Sequence, residues 1–195
     1  MKRTMIFLAV GLLTCLTISG CMHQGAANPT EFQSEEMGFS VTFPDKPSEQ
    51  KMVSNGIECT LMAVDHGDQG WTLAYIPLPK DKKGTPELLD KIVNELQKQM
   101  FEEVTATNDI STDQYIGKEI DGKSKEGIPT VIRIYLAGNV EYQLISIGGD
   151  KEKEKAFFDS FKLIDGKSDE KEGSAENGDQ AEKKAEEQPA EKETE

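Results

Sequence analysis

The sequence predicts an α+β domain, an antiparallel sheet covered by helices, on three observations. Six segments alternate apolar and polar residues at period two, and two others place apolar residues at helical spacing. Their order is strands, helix, strands, helix, with no internal repeat.

Phe39, Val41 and Phe43 share one face of a first strand, which Pro44 closes. Residues 57–64 and 71–76 are read as a pair of strands joined by the hairpin loop Asp65-His66-Gly67-Asp68-Gln69-Gly70. Thr85 as cap, Pro86 at the first helical position and Glu87 in the first turn mark the clearest helix start. Leu88, Ile92, Leu96 and Met100 then recur every four residues, and Leu89 and Val93 widen the stripe for packing on the sheet. Residues 115–120 lead to a strand over 129–136. Gly138-Asn139 supplies a two-residue turn into the strand 140–147, glycine at its first position suiting a type II′ hairpin. Asp150 is expected to cap a short helix whose buried side is Ala156, Phe157, Phe158 and Phe161.

The ends of the chain have a different character. Lys2 and Arg3, the apolar stretch from Met5 to Ile18 and the small pair Ser19-Gly20 form an export signal. About 14 apolar residues fall short of the roughly 20 that a membrane-spanning helix needs. Ile18-Ser19-Gly20-Cys21 resembles the bacterial lipobox. That resemblance implies a signal peptide over residues 1–20 and lipidation of the Cys21 thiol, and the short, small and polar composition that follows reads as a flexible lipidated tether over 21–30. With two or three acyl chains such a chain is held firmly to a membrane, as each buried methylene contributes about 0.8 kcal/mol. Met22, rather than aspartate, follows Cys21, so outer-membrane sorting is open. The expected location is the cell envelope, facing the periplasm or the exterior.

Residues 166–195 hold eleven acidic residues against five lysines, with no aromatic and nothing apolar larger than alanine. Such a segment has almost nothing to bury against the entropy of ordering, and a disordered acidic tail is expected. Residues 31–165 remain, enough for one core. Of the net charge of −14, this middle part carries −10, which argues against nucleic acid as a partner and against docking on anionic lipid through a basic patch.

Nothing in the chain forms a catalytic set, so no enzyme activity, catalytic residue, cofactor or metal is expected. Once Cys15 leaves with the signal and Cys21 is alkylated, only Cys59 remains, and no internal disulfide can form. Alternation sets Cys59 beside Ile57, Leu61 and Ala63, as a small buried hydrophobe. His23 lies beside the anchor, leaving His66 as the domain's one histidine. Asp65, His66 and Asp68 are too few for a supported metal site and read as turn residues. Gly148-Gly149-Asp150 precedes a helix but lacks the lysine of a phosphate loop. Ser146 and Ser160 have no histidine nearby in sequence.

Gly38 to Pro47, Tyr115 to Ile120, Arg133 to Leu136 with Tyr142 to Leu144, and Phe157 to Leu163 together resemble the Mog1/PsbP-like domain family. The resemblance covers about residues 32–164 and implies an α/β/α sandwich around an antiparallel sheet. Members of that family are binding or assembly modules with dissimilar partners and no shared catalytic residue. The expected function is a non-catalytic scaffold for an unknown envelope protein. The alternative is a periplasmic carrier of a small ligand held between sheet and helix.

Overall fold

The computed structural model describes residues 28–54, 57–79 and 82–164. Cys21, the signal peptide and the tail 166–195 lie outside the described residues. The expected fold class is the observed one: two helices and antiparallel strands. One sheet has seven strands, ordered β3 (Ser48–Ser54), β4 (Ile57–Asp65), β5 (Gly70–Pro77), β9 (Val140–Ile147), β8 (Pro129–Ala137), β7 (Ile116–Ser124) and β6 (Phe101–Asp109). A second, of three strands, is ordered β1 (Thr30–Ser34), β2 (Phe39–Phe43) and β10 (Lys162–Leu163). The sandwich expected from the sequence therefore carries a small extra sheet. Thr30, assigned to the tether on composition, is the first residue of β1.

The strand register turns the alternation of the sequence into two distinct faces. One face carries Trp71, Leu73 and Tyr75 of β5 with Tyr142 and Leu144 of β9, and it packs against Phe39, Val41 and Phe43 of β2 and Phe157 and Phe158 of α2 (Lys151–Ser160). Phe39 alone meets the rings of Phe32, Tyr75, Tyr142 and Phe161. Asp150 caps α2 as expected, its carboxylate accepting the Lys153 N–H at 3.1 Å. Two residues of the expected buried side differ: Phe161 lies just beyond the helix as its extended C-cap and is half-buried against the same core. Ala156 is exposed, and Glu154 turns inward instead, with its carboxylate 2.9 Å from Lys151 Nζ.

The opposite face lies under α1 (Pro86–Met100). Thr85 accepts the Leu88 N–H at 3.2 Å, and Pro86 occupies the first turn, where a missing N–H has no consequence. Leu89, Ile92, Val93, Leu96 and Met100 cover Ile120, Ile132, Ile134, Leu136 and Ile145. The helix lies across β6, β7 and β8. It passes straight into β6 without a loop, since Phe101 is both its extended C-cap and the first strand residue.

Three strands escape the sequence reading besides the two residues of β10: β1, β3 and β6. All three lie at an edge of their sheet and are half-buried or exposed over most of their length. The alternation that marks a strand needs a buried face, and an edge strand has little of one. The β8–β9 turn holds Gly138 at φ +57, the positive value that a primed hairpin turn demands.

Gly122 has a different role. A Cβ there would stand 2.1 Å from the Glu103 carbonyl oxygen and 2.8 Å from Phe101 Cδ1, because β6 bulges twice as it passes β7. Gly122→Ala is expected to destabilise the domain by about 2 to 3 kcal/mol, since backbone rather than a movable side chain blocks the methyl. Urea unfolding checks this, and an unchanged midpoint would contradict the close approach.

Candidate functional site

The β2–β3, β4–β5 and β9–α2 connections meet at one end of the molecule. In the β4–β5 loop Asp65 accepts the Gly67 N–H at 2.7 Å, and the His66 N–H reaches the Gln69 carbonyl at 2.8 Å. That closes the hairpin, the turn role expected of these residues. The His66 side chain leaves the loop: Nε2 lies 3.5 Å from Asp45 in the β2–β3 connection, and its ring stands edge-on to Trp71 at 5.6 Å. Lys153 joins the group from α2, with Nζ 3.2 Å from Gln69 Oε1, 3.2 Å from Asp150 and 5.8 Å from the Trp71 ring centre. The Trp71 indole N–H is buried and meets no acceptor among the described residues. Asp65, His66 and Asp68 are not drawn together on a common point. Instead His66 is paired with Asp45, a residue that the sequence reading passed over.

Beside this group is an open recess of about 190 Å³, lined by Pro29, Thr42, Phe43, Pro44, Lys153, Ala156 and Phe157. The exposure of Ala156 has its sense here, as a larger side chain on that face of α2 would fill the recess. Phe43 and Pro44 meet at the recess because proline ends β2 there. The chemistry offered is an apolar floor with one ammonium group on the rim and the His66–Asp45 pair nearby.

The serines have structural duties. Ser160 accepts the Thr42 N–H at 2.8 Å and donates to the Phe157 carbonyl at 2.7 Å, tying the end of α2 to β2. Ser146 is buried within β9. Cys59 is 1 % exposed, as its alternation implied, and burial, with a contribution from Glu58, pushes its thiol up away from the reactive range.

A second polar group stands in the α1-side face of the large sheet. Glu141 has Ile76 of β5 and Leu136 of β8 as its cross-strand neighbours, and Gln143 has Ala74 and Ile134. Both are buried, and the Gln143 amide donates to the Glu141 carboxylate. Burial pushes the Glu141 carboxyl up to about 7, and the amide bond only partly opposes that. The pair separates the apolar cluster under α1 from a second one formed by Cys59, Leu61, Ala74 and Ile76. Sequence reading missed it because a glutamate in an alternating strand is ordinarily placed on the solvent side.

No family model matches the chain, and no curated protein does. A solved structure similar in outline is that of cyanobacterial PsbP (CyanoP) from Synechocystis sp. PCC 6803. The likeness has a TM-score of 0.48 and 13 % identity, over 75 % of this chain and 99 % of that one. A likeness of this degree is one of general chain path. It carries no residue of that protein to a position here.

Proposed function

We propose that the protein is a bacterial envelope lipoprotein, anchored through lipid on Cys21, whose domain is a non-catalytic protein-binding or assembly module of Mog1/PsbP-like type. The observation that carries the binding reading is the recess over Phe43, Pro44 and Phe157 with Lys153 on its rim. At about 190 Å³ it has room for one large side chain. Sites that enclose a small organic ligand run to about 300–1,000 Å³, which favours a protein partner over a carried molecule. An apolar anchor point with a polar rim is the usual make-up of such a contact.

Crosslinking in membranes followed by affinity capture tests this reading. Ala156→Trp fills the recess from an exposed position and should abolish enrichment of the partner, with the unfolding midpoint little changed. Capture undiminished by that variant would remove the recess from the interface. In the same preparations Cys21→Ala should release the protein to the soluble fraction, and continued membrane association would count against the lipid anchor.

A further inference from the structure

The two edges of the large sheet are built differently. β6 is bulged at Phe101/Glu103 and again at Val104/Ala106, and it carries Glu102, Glu103 and Asp109. Bulges and charge of that kind guard an edge against pairing with another chain. β3 has neither device in the same measure: it pairs with β4 over seven residues without a break in register. Its other side is free among the described residues, and Val53 on it is 73 % exposed.

We infer that the free edge of β3 pairs antiparallel with β3 of a second copy of this chain, with Gln50 opposite Gln50 across a two-fold axis. The argument is one of charge and shape along Pro47-Ser48-Glu49-Gln50-Lys51-Met52-Val53. A two-fold perpendicular to the sheet allows only registers that centre on a residue. Centred on Gln50, Glu49 of each copy faces Lys51 of the other, twice by symmetry. The exposed Val53 meets Pro47, and Met52 meets Ser48. Centring on Glu49 instead sets Glu49 against itself, and centring on Lys51 sets lysine against lysine. Opposite charges directly across a strand pair are favourable and like charges unfavourable. Among the described residues neither Glu49 nor Lys51 is held in an ion pair, and both are exposed. A lysine on an edge strand normally discourages pairing. Here the residue that neutralises it sits two positions away, where the two-fold brings it into register.

Two edges of this length make a small interface, so dissociation constants between about 1 μM and about 1 mM are expected. Sedimentation of the full chain in mild detergent at low salt measures them. Lys51→Glu alone sets glutamate against glutamate, and Glu49→Lys alone sets lysine against lysine. Each should weaken self-association by about tenfold. A one-to-one mixture of the two variants restores both opposite-charge pairs, as does the double exchange in one chain, and each should recover the affinity of the parent. A parent chain that is monomeric throughout that range, single variants that associate as it does, or a mixture no tighter than either variant alone would each overturn the proposal.

Discussion

Phe39→Ala is expected to lower the free energy of unfolding by about 4 kcal/mol, a large part of what holds a domain of this size together. Phe39 is fully buried, and its ring is the point at which the small sheet, the large sheet and the residue ending α2 converge. Truncation leaves a cavity among four aromatic rings. These cannot collapse into it, because they are fixed from different directions by β1, β5, β9 and the segment after α2. The Tyr142 hydroxyl, for instance, donates to the Met37 carbonyl and holds that ring in place. Chemical denaturation checks the figure. A loss near 1 kcal/mol would mean that the small sheet is dispensable to the core.

Glu141→Gln should act in the opposite direction, and only over part of the pH range. In the unfolded chain this carboxyl ionises near 4.5, whereas in the folded protein it holds its proton to about 7. Below about pH 4.5 both states are protonated and the buried carboxyl costs nothing through ionisation. As pH rises from 4.5 to 7 only the unfolded chain gives up the proton, so stability falls. Above 7 the loss is complete, and it amounts to about 3 kcal/mol at most. Glutamine fits the same space and still accepts from the Gln143 amide without ionising. The variant should therefore match the parent at pH 4 and exceed it by up to about 3 kcal/mol at pH 8. Unfolding midpoints across that range decide it, and equal midpoints at both ends would show that the carboxylate is solvated.

What could be read from the sequence is what burial writes into it. Phe39, Val41 and Phe43, the α1 stripe with its Thr85-Pro86 start, and Asp150 as cap all follow from the need to hide one face or to satisfy a helix end. β3 escaped because its only sizeable apolar residues are Met52 and Val53, one half-buried and the other exposed. The pair Asn55-Gly56 before Ile57 is the hairpin signal that would have found it. β6 was hidden by the helix that runs straight into it, since a change of period with no turn residues between leaves no boundary to see. The candidate site was legible only in pieces. His66 and its loop were visible, whereas Asp45, Lys153 and the recess come together through the packing of β2 and α2 on the β5 face of the large sheet, which no spacing along the chain encodes.

The register of the small sheet governs what the recess faces. The chain enters β1 at Thr30, opposite Phe43, and leaves β10 at Leu163, opposite Phe39. Its two ends therefore depart from opposite ends of β2, and the recess at Phe43 and Pro44 is on the entry side. Six residues separate Cys21 from Asn28, a link of seven steps that spans at most about 25 Å when fully drawn out. A lipid on Cys21 would thus keep the recess within reach of the bilayer surface, on the side of the domain away from the last strand residue, Leu163. A partner held at the recess would then be bound close to the bilayer surface.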